Sequence, residues 1–128
     1  MVAGLYVDGT LTDHSYLRYP DGALTTFDAP GAGTTPDNFF GTFAVANNDL
    51  GVVSGYTIDD NNVSHGFIRS PDGRIGIFNV QSAGKSSGQG TTPFGLNLWG
   101  AIPGVFTDTN NINHGFVRDP GVCEAPNG

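Results

Sequence analysis

Three segments of this chain are copies of one another, and that repetition narrows the folds open to it. Residues 4–18 (GLYVDGTLTDHSYLR), 55–69 (GYTIDDNNVSHGFIR) and 104–118 (GVFTDTNNINHGFVR) align without gaps on His14, His65 and His114. In each, a glycine stands ten positions before the histidine, an aspartate (Asp8, Asp59, Asp108) six before, and an arginine (Arg18, Arg69, Arg118) four after. A second element alternates with the first: residues 19–27 (YPDGALTTF) match 70–78 (SPDGRIGIF), and 41–48 (GTFAVANN) match 90–97 (GTTPFGLN). The histidines are 51 and then 49 residues apart, and the difference falls in a Gly-rich loop. Loops absorb such changes and strands do not. A period near fifty means one supersecondary unit that cannot bury its apolar face alone and stacks on its own kind. The units are residues 2–51, 52–100 and a partial 101–121, with a tail at 122–128, all within a single domain of 128 residues.

Inside a unit the periodicity is that of strands, and the chain reads as all-β. Charged residues make up 13% of it, against 20 glycines and 8 prolines, so helix-filling stretches are missing. Strands are expected at Val53–Ile58, at Ser64–Arg69, at 74–80 and near 92–98. A turn at 59–62 and a Pro71-Asp72-Gly73 hairpin connect the first three. On the second strand, His65, Phe67 and Arg69 share one face, while Gly66 and Ile68 share the other. The four strands form an antiparallel meander, which is the blade unit of a β-propeller. About two and a half blades fall short of the four to eight that close a propeller. Their open edges are expected to be covered by self-association into a homo-oligomeric ring, or by the rest of a longer protein. A compact ten-stranded barrel, a sandwich or a trefoil-like fold are the alternatives.

These motifs resemble those of a family of bacterial secreted tandem-repeat proteins. Its units carry His-Gly-Phe-x-Arg-x-Pro-Asp-Gly followed by Phe-Asp-x-Pro-Gly-Ala-Gly-Thr. Here those segments are residues 65–73 and 27–34, and the resemblance covers nearly the whole chain. It implies propeller-like repeats and an extracellular or cell-surface setting, not an activity. The chain departs from it at Phe78-Asn79-Val80-Gln81, and at Asp119-Pro120-Gly121, where the hairpin turn is one residue short.

Charge removes several classes of partner. With a net charge of −7 and five basic residues, no basic stripe can displace the counterions of a nucleic acid. Anionic membrane surfaces are disfavoured for the same reason, and no segment approaches the ~20 apolar residues of a membrane span. Cys123 is the single cysteine and has no intrachain partner. Met1 leads straight into a strand rather than a secretory leader, which with the phase of the repeats suggests a piece of something longer.

For each residue type that could carry chemistry, a plainer role competes. His14, His65 and His114 could together ligate zinc or copper, but a residue that recurs in every repeat is usually there to build it. Each arginine needs a counter-charge if buried, so a recurring ion pair of Asp8, Asp59 or Asp108 with its arginine is expected. The turns at 59–62 and 108–111 cluster oxygen ligands of the kind calcium takes, with Asp59, Asp60 and Asn62 the weak candidates. Asx-rich turns more often cap their own backbone, and no cofactor is assigned. Catalytic templates are missing from the sequence: the one glutamate is Glu124, no serine lies in Gly-x-Ser-x-Gly, and the Lys85-Ser86-Ser87 loop lacks phosphate-loop spacing.

Residues that break the repeat are freer to serve function. Trp99 stands where the first unit has Leu50, Lys85 is the lone lysine, and Phe39 and Phe40 have no aromatic counterparts. With Asp59 and Asp108 these are the expected ligand-binding residues. The reading preferred is a lectin-like module binding glycans or another surface. A purely structural repeat of an extracellular protein is the first alternative, and a metal-dependent enzyme acting on polysaccharide the second.

Overall fold

The computed structural model describes residues 1–120 and 122–124, so part of the expected tail (125–128) lies outside the described residues, as does Gly121. The described chain is all-β. Its strands are β1 (Val2–Val7), β2 (Asp13–Arg18), β3 (Leu24–Phe27), β4 (Gly41–Asn47), β5 (Val53–Ile58), β6 (Ser64–Arg69), β7 (Ile75–Phe78), β8 (Gly90–Pro93), β9 (Ile102–Thr107), β10 (Asn113–Asp119) and β11 (Val122–Glu124). They join in one open, mixed sheet whose path runs β1-β2-β4-β5-β6-β8-β9-β10-β11, with β3 on β2 and β7 on β6. Among the described residues that path does not return to its start, so the chain is not a closed barrel.

Within this sheet the antiparallel pairings fall into three groups: β1–β3, β4–β7 and β8–β11. The expected meander was cut one strand too late. The strand following each long loop does not pair with the strand before the loop; β4 lies antiparallel to β5, and β8 to β9. The fourth strand is also shorter and earlier than expected, at Gly90–Pro93 rather than 92–98. Single parallel bridges, Asp13↔Gly41 and Ser64↔Gly90, link the groups. Both bridges sit on glycines with φ of +135° and +122°. A Cβ at Gly41 would run into the backbone of Asp13, and one at Gly90 into the backbone of Ser64. Only glycine combines that conformation with so close an approach.

The repeating glycine and aromatic explain each other. Gly4, Gly55 and Gly104 pair across the ladder with Tyr16, Phe67 and Phe116. In each case the ring lies where a glycine Cβ would be. The ring therefore lies flat over the neighbouring strand, and the groups can pack closely face to face.

Two apolar clusters form between the groups. The first joins Leu17 and Ala29 of the first group to Ala44, Val53 and Phe67 of the second. The second joins Phe78 and Val80 to Ile102, Phe106 and Phe116, with Ile68 against it. Phe67 and Ile68 thus serve opposite clusters, as the strand alternation requires. The middle group thus presents one face to its predecessor and the other to its successor.

Candidate functional site

The chain has two ends of unlike character. At the loop end lie the turns at 8–12, 59–63 and 108–112 and the long loops 28–40 and 79–89; at the hairpin end lie the short connections around 19–23, 48–52, 70–74 and 97–101. Every signature aspartate sits at the loop end, where its turn returns the chain so that the aspartate meets the histidine opening the next strand. One carboxylate oxygen caps the turn: Asp8 Oδ1 accepts from the N–H groups of Thr10 and Thr12, Asp59 Oδ1 from Asn61 and Val63, and Asp108 Oδ1 from Asn110 and Ile112. The other oxygen holds histidine Nε2, at 2.7 Å for Asp8–His14 and 2.8 Å for both Asp59–His65 and Asp108–His114. The far ring nitrogen is engaged as well, His14 Nδ1 by Asp28 at 2.7 Å and His65 Nδ1 by Asn79 at 2.6 Å. Each histidine is thus tied to its own unit.

The expected aspartate–arginine pairs do not form. The arginines lie at the hairpin end, and Arg69 and Arg118 reach the preceding unit instead. The Arg69 guanidinium lies 5.2 Å from the ring centre of Phe27, and that of Arg118 lies 5.0 Å from Phe78. The same two rings meet Phe67 and Phe116 edge-on, at 5.9 and 6.2 Å. A ring face is an adequate partner for a weakly hydrated guanidinium, so Arg69 is buried without a carboxylate. Sequence reasoning missed Asp28, Asn79, Phe27 and Phe78. The signal was present, because the phenylalanines stand thirteen and the polar residues fourteen positions after their histidines.

Asp60, a weak metal candidate, accepts from the N–H groups of Thr34 and Thr35, each at 2.8 Å, and so pins the first long loop to the second unit. Asn62 donates to Ser87 Oγ in the second loop. Phe39 is exposed on a left-handed backbone (φ 56°), whereas Phe40 is half-buried and its carbonyl accepts from Asp13 N–H. Trp99 is 80% exposed at the hairpin end, one strand length from Asp108. The structure therefore parts Trp99 from the other expected binding residues.

Asp59 and Lys85 do come together. They line a cleft of about 520 Å³ with Asn61, His65, Asn79 and Gln81. Loop 79–89 forms its wall and is held by the third unit: Gly84 N–H donates to the Thr107 carbonyl at 2.8 Å, and Gln89 Nε2 to Asn111 Oδ1 at 2.9 Å. The matching cleft of the first unit, beside His14 and Asp28, holds only about 120 Å³. Asn79, Gln81 and Lys85 stand where the first unit has Asp28, Pro30 and Thr34. Residues that depart from the repeat thus gather on one cleft.

The electrostatics follow from these contacts. Hydrogen bonds from His14, Thr10 and Thr12 hold the Asp8 carboxyl well below the usual carboxylate range. The hydrogen bond to Asp8 raises the His14 pKa above 6.5; burial opposes this, and Asp28 adds to it. Burial would raise Asp59, but the hydrogen bonds from His65, Val63 and Asn61 outweigh it and the pKa falls. Asp108 is lowered by His114 and by the turn N–H groups.

A raised folded-state pKa means that His14 contributes its full stabilisation below about pH 6.5 and loses it as pH rises through the folded value. The lowered Asp8 contributes above the ordinary carboxylate range and loses it in acid. The pair is therefore strongest between about pH 4 and 6.5. His14→Gln is expected to destabilise the protein most near about pH 5.5 and progressively less as pH rises through the raised histidine value. Urea midpoints across pH measure this, and a pH-independent difference would refute it.

No family model, curated protein or solved structure matches this chain.

Proposed function

We propose that the chain is a propeller-like binding module that works outside the cell and takes a polyhydroxylated ligand, a glycan, in the cleft of its second unit. The observation that carries this reading is the gathering of Asn79, Gln81 and Lys85, each a departure from the first unit, around one cleft of about 520 Å³. That volume lies within the range of small-molecule sites. The Gln81 amide supplies a donor and an acceptor, which suits vicinal hydroxyls; the Asn79 amide, whose oxygen holds His65, adds N–H donors, and Lys85 adds three more.

The chemistry favours binding over catalysis. His65, the natural general base of the cleft, has both ring nitrogens in hydrogen bonds within its own unit. Lys85 is exposed, and Asp59 is shared between its turn and His65. These groups hold a shape and present polar edges. The blade reading is supported by the four-stranded antiparallel groups β4–β7 and β8–β11 and by their face-to-face stacking.

Calorimetric titration with a panel of neutral and uronic-acid oligosaccharides tests the assignment. Lys85→Ala and Gln81→Ala are each expected to weaken binding about tenfold, the worth of one good hydrogen bond to a charged or amide group. Trp99→Ala, at the opposite end, is expected to leave affinity unchanged. A panel without a binder up to about 10 mM would leave the purely structural repeat as the better account.

A further inference from the structure

Among the described residues the outer face of the first unit is uncovered. In the second unit, Phe67, Arg69 and Ile75 face Leu17, Phe27 and Ala29 of the first. Counted from the histidines, the same positions in the first unit are Tyr16, Arg18 and Leu24. Among the described residues no unit lies against them. Arg18 is exposed where Arg69 is 7% exposed, and Leu24 is 64% exposed. With Tyr6 and Thr26 these residues line an apolar groove of about 370 Å³.

We infer that this groove is a docking site for one further β unit of the same repeat, which sets an aromatic ring against the Arg18 guanidinium. The occupied junctions define what fits. In both, the incoming face carries an aliphatic residue three positions after its histidine (Leu17, Ile68), a phenylalanine thirteen after (Phe27, Phe78), and a small or β-branched apolar residue fifteen after (Ala29, Val80). The ring is the selective element, since it serves the guanidinium and the aromatic of the receiving face together.

A second copy of this chain fits poorly. Its own Phe27 and Phe78 already lie against Arg69 and Arg118. Its third unit has Val117, 42% exposed, at the aliphatic position, and Asn127 stands thirteen positions after its histidine, where the other units carry phenylalanine. Self-association through this face, the expectation from the blade count, would leave Arg18 without a ring. The partner is a repeat unit on another stretch of polypeptide that keeps its phenylalanine.

The test grafts the missing ring onto the full chain. Residues 119–128 are replaced by residues 70–83, so that the third unit carries the hairpin and phenylalanine of the second. The chimera is expected to associate head to tail by sedimentation equilibrium at about 100 µM, with the unaltered chain monomeric. Arg18→Glu in the chimera is expected to weaken association at least about tenfold. A folded chimera that stays monomeric overturns the inference. Association indifferent to Arg18→Glu, or equal association of the unaltered chain, does so too. If the chimera does not fold, residues 119–128 of the full chain are replaced instead by residues 19–32, which carry Phe27 of the first unit. Head-to-tail association that Arg18→Glu weakens supports the inference, and a folded monomer at about 100 µM overturns it.

Discussion

Replacing Phe67 by alanine is expected to cost about 3–5 kcal/mol, a large share of the stability of an ordinary chain. Phe67 is fully buried, lies over Gly55, and meets Phe27 of the preceding unit edge-on. Truncation removes its contacts with both and leaves a cavity at the junction that rigid sheets cannot close. The repeat supplies its own control. Tyr16 holds the same position in the first unit and crosses Gly4 in the same register, but no unit covers it. Tyr16→Ala is therefore expected to cost under about 1.5 kcal/mol. Denaturant unfolding of the two variants measures the difference. Equal losses would show that the ring works within its own unit and that the junction adds little.

Gly90→Ala is expected to be comparably severe, at more than about 3 kcal/mol, with a fall in Tm of more than about 10 °C. Two costs act together. The backbone is held at φ +122°, where a side chain is strained, and the new methyl would meet the backbone of Ser64 at the single bridge joining β6 to β8. Gly88 separates these costs. It also has positive φ, +83°, but an added Cβ would meet nothing within 4 Å. Gly88→Ala should carry only the conformational cost, about 1–2 kcal/mol. If both alanines cost the same, close approach at the bridge is not what demands glycine.

Much of this architecture could be read before any coordinates. Strands β5 and β6 lie at their expected bounds, because Gly, Pro and Asx turns punctuate a clear alternation. Which group the strand after each long loop would join was not legible. Pairing partners there are set by distant residues, and the segment 90–97 carries little alternation to choose a neighbour. The aspartate–histidine spacing was visible too, yet charge alone suggested arginine as the partner. Strand geometry decides otherwise: a residue six before the histidine is carried by its turn back to the histidine, while a residue four after it is carried to the far end. Trp99 was separated from the cleft by the same arithmetic, since a strand of six residues spans about 20 Å.

Each long loop is tethered to the unit that comes after it, through Gly33 to Ile58 and Thr34 to Asp60 in one case and through Gly84 to Thr107 in the other. The wall of each recess is thus its own sheet's loop, steadied from two sides: loop 28–40 also bonds back to Thr10 and Leu11, and loop 79–89 to Asn62. A recess keeps its shape only as firmly as two successive sheets hold together.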